Sequence, residues 1–165
     1  MEQAKGYDPV QIALHWSMAV LIAAQFLLYP IVLPGWHYLI TTHDYYYTWG
    51  VIAHLTVGTA VLVLVLLRIR ARRRHPAPPP LPGADPRLET LGRLVHRATY
   101  LVMLLIPLTG LVAYFGDLQP VSVLHNALAA TMLGLVGMHA SAALYHQFIR
   151  HDGLLLRMLR PGPRG

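Results

Sequence analysis

The chain contains no cysteine. That absence excludes disulfides, thiolate metal sites, iron–sulfur clusters and the C-x-x-C-H attachment of c-type haem. It also leaves the redox compartment unmarked. Charge is scarce: charged residues make up 12% of the 165, against 55% apolar. The mean hydropathy is positive. This is the composition of a membrane protein, with length enough for one compact domain.

Four apolar stretches approach the roughly 20 residues that cross a bilayer as a helix. They lie at about 10–29, 48–67, 98–115 and 121–149, and none contains Asp or Glu. The fold class expected is all-α, a membrane bundle of four helices in a single domain. Pro107 and Gly110 should kink the third span, which membrane helices tolerate. The first span has only Lys5 before it, lacks a small-residue cleavage site and contains His15 and Trp16, so it reads as a retained helix rather than a signal peptide.

The net charge of +6 invites a nucleic-acid reading until the basic residues are placed. Lys5 precedes the first span. Arg68, Arg70, Arg72, Arg73, Arg74, Arg87, Arg93 and Arg97 fall between the second and third, and Arg150, Arg157, Arg160 and Arg164 follow the fourth. The connections Pro30–Tyr47 and Gly116–Pro120 have none. The positive-inside rule then puts both termini and the middle loop in the cytoplasm. The basic excess is a topology signal, and no nucleic-acid partner is expected. The middle loop includes a proline-rich segment, 75–86, which reads as an extended linker. Trp36, Tyr38, Tyr45, Tyr46, Tyr47 and Trp49 near the external surface read as an interfacial aromatic belt.

Against this apolar background stand ten histidines. His37, His43, His75 and His151 fall outside the spans and read as solvated. His15, His54, His125 and His139 lie inside them, where an ionisable ring needs a partner. His96 and His146 lie near cytoplasmic helix ends. His125 and His139 are separated by about four turns less 40°, so both rings leave nearly one face about 21 Å apart. A single metal ion cannot bridge that gap, whereas two sites, one near each membrane surface, can use it. By depth, His54 can meet His125 near the outside and His15 can meet His139 near the inside. Depth alone leaves His146 open as a partner of His15. A flat ring pressed on a helix favours a small residue beside its ligand. Position i+4 from His15, His54, His125 and His139 holds Ala19, Gly58, Ala129 and Ala143, whereas His146 and His96 are followed there by Arg150 and Tyr100.

Structural zinc wants four close ligands, and a di-iron site wants carboxylates from several helices. Haem takes two axial histidines and an apolar slot, and without cysteine attachment it is non-covalent b-type haem. Two b haems are the leading expectation. Histidines hydrogen-bonded across helices with no cofactor, and a proton-relay or transport role, are the alternatives.

Five segments in order, "YDPVQIALHWSMA", "IAHLTVG", "IPLTGL", "LHNALA…GMHASAALYH" and "HDGLLLRMLRP", resemble the bacterial cytochrome b561 family, four-helix dihaem membrane cytochromes that include superoxide oxidase. The resemblance implies His15 and His139 as iron ligands of an inner haem, and His54 and His125 as those of an outer one. It also implies ubiquinone as redox partner and the bacterial inner membrane as location. His96 and His146 are candidates for binding quinone or moving its protons. The expected function is electron transfer between an external donor or acceptor, superoxide being one, and ubiquinone. The alternatives are a quinone-linked cytochrome b subunit of a larger dehydrogenase or hydrogenase with a redox partner subunit, and a non-catalytic haem-binding anchor. The connection "GDLQP" is shorter than in the superoxide oxidase branch. The external loops hold Asp44 and Asp117 but no Lys or Arg, which disfavours fast capture of an anion.

Overall fold

A computed structural model describes residues 6–80 and 85–161. It consists of four long helices, α1 (Pro9–Thr42), α2 (Trp49–Arg74), α3 (Pro86–Phe115) and α4 (Gln119–Tyr145). A π-helical turn at His146–Arg150 continues α4, and a short 3-10 turn, Leu155–Met158, follows. Local chemistry sets the starts. Asp8, Thr48 and Asp85 are N-caps whose side chains accept from the backbone N–H of Val10, Val51 and Arg87. Each cap satisfies a donor that the first turn leaves free. All four helices are long and apolar enough to cross a membrane.

The helices outrun the expected spans. α1 passes through Pro30 and Pro34 to Thr42, so most of the segment 30–47 is helix rather than loop. At about 1.5 Å per residue its 34 residues reach about 51 Å, well beyond the roughly 30 Å hydrocarbon core. The arginines from Arg68 to Arg74 belong to α2, and Arg87, Arg93 and Arg97 to α3, rather than to the connecting loop. Arg72, Arg73 and Arg74 close the last turn of α2, where the helix dipole favours cations.

α1 packs chiefly on α2 and α3 on α4, and α2 meets α3 to join the two hairpins. Met18, Val65, Val102, Met103 and Met132 form the central core, and Leu39, Val51 and Tyr114 a second cluster toward the other end. Outward residues such as Val20, Leu27, Leu101 and Leu133 are exposed, so the helices are apolar on their outer faces too, as lipid contact requires. Glycine sets the α1–α2 approach. A Cβ on Gly50 would lie 2.6 Å from the Ile31 carbonyl oxygen, and one on Gly35 would lie 2.5 Å from Val51 Cγ2. Such close contact is how small residues let membrane helices associate. Gly50→Ala should destabilise the fold by about 1–3 kcal/mol, since backbone must move. Gly92→Ala, with open space around it, should be neutral or stabilise by about 0.5–1 kcal/mol. Thermal unfolding in detergent compares them, and equal midpoints would contradict the packing argument.

The arginine-rich end gathers the three segments that charge assigned to one side. Tyr7 N–H donates to the Arg157 carbonyl, Trp16 Nε1–H to the Met158 carbonyl at 2.8 Å, and the Arg157 guanidinium to the Pro79 carbonyl at 2.9 Å. Gln11 Nε2 donates to the His75 carbonyl. In the proline-rich linker 75–86, the non-helical stretch 75–80 is thereby held to α1 at His75 and to the C-terminal tail at Pro79. Residues 81–84 of that linker, together with Lys5 and Arg164 of the charge count, lie outside the described residues.

Candidate functional site

Two histidine pairs meet inside the bundle. The rings of His54 on α2 and His125 on α4 have centroids 6.2 Å apart, and those of His15 on α1 and His139 on α4 are 6.1 Å apart. These are the partners that depth suggested. His146 takes another course: its Nδ1–H donates to Asp152 at 2.5 Å, with Arg150 Nε 3.8 Å from the same carboxylate oxygen. Burial works against the Asp152 carboxylate, but the His146 hydrogen bond, the Leu154 N–H and the nearby positive charges hold its pKa below the usual range. His37, His43, His75 and His151 are exposed, as expected.

The outer pair sits on a cavity of about 430 Å³ whose walls are mostly apolar, with Ile22, Phe26, Leu55, Met103 and Met132 among them. His125 Nδ1 lies 2.9 Å from the Ile106 carbonyl oxygen. A carbonyl only accepts, so Nδ1 carries the proton and Nε2 is left as a free lone pair. Gly110 makes room for that ring: a Cβ there would stand 3.0 Å from His125 Cε1. The segment "IPLTGL" on α3 is thus the bracket of His125. Among the described residues, His54 Nδ1, Gln25 Oε1 and Tyr114 OH are buried without a hydrogen-bond partner, and all three residues line the cavity. Of the four small i+4 residues, Gly58 and Ala129 line it as well.

The inner pair is more crowded. His96 on α3 lies against His139 with centroids 5.0 Å apart. Arg68 reaches in from α2, donating from a terminal nitrogen to His15 Nδ1 at 2.8 Å and from Nε to Tyr100 OH at 2.9 Å. Sequence reasoning missed all three contacts. His96 falls just before the apolar window of α3, and Arg68 counts there only as a topology charge. One signal was available. Arg68 follows His54 by the same 14 residues that separate His125 from His139, so it shares the inward face of its helix about 21 Å further on.

The donor sets fit haem. Imidazole nitrogens about 2.0 Å from a shared metal, with about 1.1 Å more to each ring centroid, put centroids about 6.2 Å apart. Both pairs have that separation, whereas His96 and His139 are too close for it. Among the described residues no three His, Asp or Glu side chains converge to hold a bare ion. Each pair therefore suits a metal that brings its remaining ligands with it, and the apolar cavity suits a flat organic ring.

Comparison with known proteins agrees with this chemistry. The family model described as prokaryotic cytochrome b561 matches residues 6–161. Cytochrome b562 of Cereibacter sphaeroides is 34% identical, across 98% of this chain and 99% of that protein. A protein of Yersinia pestis named probable superoxide oxidase is 30% identical, across 98% and 99%. Cytochrome b561 homolog 2 of Escherichia coli is 27% identical, across 93% and 90%.

Proposed function

The chain belongs to the prokaryotic cytochrome b561 family, and on that premise we propose that it carries electrons across the bacterial inner membrane between an external donor and ubiquinone. The coarser description is plain: it is a multi-pass membrane cytochrome of b type that acts in electron transfer. The finer reading rests on one observation, two half-buried imidazole pairs at different depths, each joining α4 to another helix with ring centroids 6.1 or 6.2 Å apart. His54 and His125 would hold the outer of two b haems, and His15 and His139 the inner. Haem supplies reversible one-electron chemistry. The residues of the chain supply the rest. The Ile106 carbonyl orients His125, apolar walls keep water from the outer site, and the arginine-rich end faces the cytoplasm.

In the superoxide form of the reaction, two superoxide anions each lose one electron and leave as O2. One ubiquinone takes up those two electrons and two protons to become ubiquinol. His96 and His146, both toward the arginine-rich end, are the candidates for the quinone head group and its protons. One observation favours delivery of electrons by a partner subunit instead. The external end carries Asp44 and Asp117 but no Lys or Arg, and His43 there is engaged by Asp117. Pulsed superoxide with purified protein and ubiquinone decides between the two. The proposal expects one ubiquinol for every two superoxide consumed. Haems that ubiquinol reduces but superoxide does not would sink the superoxide form and favour the subunit reading.

His146→Ala should leave both haems in place, because His146 is engaged by Asp152 rather than by His15. It should also raise the Asp152 pKa. The depressed carboxylate stabilises the fold above its unfolded pKa, and that contribution fades as pH falls through the lower folded value. The variant should therefore be less stable than the unaltered protein above the unfolded pKa of Asp152, and should lose less stability on acidification below it. Haem counted per chain and an acid unfolding series check the two parts. Loss of a haem would return His146 to the list of iron ligands.

A further inference from the structure

Arg68 is a half-buried cation in a transmembrane helix, and its partners do not neutralise it. Its terminal nitrogen donates to His15 Nδ1, its Nε donates to Tyr100 OH, and its guanidinium carbon lies 5.7 Å from the centre of the Tyr100 ring. Among the described residues no carboxylate comes within 4 Å of it. A charge removed from water is ordinarily paired.

The bond to His15 cannot coexist with metal ligation by that ring. Arginine has only donors, so His15 Nδ1 is an acceptor, and the single proton of the neutral imidazole is on Nε2. If a metal binds through Nε2, that proton moves to Nδ1, and two donors then face each other. If a metal binds through Nδ1, it takes the lone pair that Arg68 uses. Either ring nitrogen leads to the same result: loading the inner site releases the Arg68 terminal nitrogens from His15. Tyr100 still anchors Nε. The freed N–H groups require an anionic oxygen, and the incoming group brings one, since b haem carries two carboxylates.

We propose that Arg68 is the carboxylate-binding residue of the inner haem site, exchanging His15 for a haem carboxylate when that site is filled. This rests on the reading of His15 and His139 as iron ligands. Arg68 is a positioning residue: it would free His15, orient the incoming group through a forked, charge-assisted contact, and keep a fixed positive charge at the inner site. Among the described residues no Lys or Arg lines the cavity of the outer pair.

The experiment refills haem-depleted full-length protein with haem or with its dimethyl ester, which lacks free carboxylates. Binding is followed by optical titration, and haem is counted per chain. In the wild type the ester should bind the inner site about 10–100-fold more weakly than haem, and the outer site equally well. In Arg68→Gln, haem itself should show that loss and the ester no further loss. Inner-haem reduction should become about tenfold less favourable, about 59 mV for a one-electron couple. Arg68→Lys, which keeps the charge without the fork, should recover most of the potential but less of the affinity. A wild-type chain that takes up only one haem overturns the ligand reading and this assignment with it. A chain that takes up two and holds the ester as tightly as haem at the inner site overturns the Arg68 assignment alone. That second result would mean that the anionic oxygen comes from elsewhere, such as a lipid phosphate. The wild-type arm needs no variant, so misfolding of Arg68→Gln does not blunt the test.

Discussion

Alanine at His54 is expected to leave one haem per chain where the unaltered protein holds two, with the inner haem keeping its spectrum. The reason is geometric. The rings of His54 on α2 and His125 on α4 have centroids 6.2 Å apart, a separation that suits a shared metal, and removing either ring would leave an iron with one protein ligand in an apolar slot. His125→Ala should therefore lose the same haem, and the double variant should look like either single one, because the pair acts as a unit. His15→Ala and His139→Ala should form a second such set that loses the inner haem. Combining one change from each set should leave the chain colourless. Pyridine haemochrome per chain, together with the reduced-minus-oxidised spectrum, measures all of these. The most informative contrary result concerns His96, which is closer to His139 than His15 is. If His96→Ala abolishes the inner haem and His15→Ala spares it, the inner ligand pair has been misassigned.

A second large effect is expected from a residue that has no side chain. Gly110 faces His125, and the Cβ of an alanine there would stand 3.0 Å from Cε1 and 3.1 Å from Nδ1 of the ring. The ring cannot retreat freely, because the Ile106 carbonyl holds Nδ1 at 2.9 Å. Gly110→Ala should weaken the outer haem by about 1–3 kcal/mol, roughly fivefold to 150-fold in affinity. Gly110→Val, with two more carbons to place, should empty the outer site. Gly134→Ala and Gly137→Ala, on α4 with open space around them, should change neither haem. Haem dissociation to an excess of apomyoglobin separates the cases, and equal rates for Gly110→Ala and Gly137→Ala would refute the bracket role of α3.

His125 also marks the boundary between what one helix encodes and what four helices decide. The apolar runs, the side on which arginine gathers and the 14-residue step from His125 to His139 are properties of single helices. A helix has a fixed rise and rotation per residue, so depth and relative face follow from position alone. That is why four spans, a common side for both termini and the middle loop, and two ring levels on α4 were legible in the sequence. The rotation of each helix against its neighbours was not. It depends on close approaches such as Gly50 against the Ile31 carbonyl and Gly110 against His125, and it alone chose among rings of similar depth. Packing brought His96 onto His139 and drew Arg68 to His15, while the π-helical turn after α4 carried Asp152 to His146. Helix length escaped for a related reason. Hydropathy marks where a helix meets lipid, not where its backbone hydrogen bonding ends, so α1 ran on past Pro30 and Pro34 and α2 carried its arginines with it. Depth was written residue by residue, whereas contact between side chains on different helices required the assembled bundle, because only there is the azimuth of each helix determined.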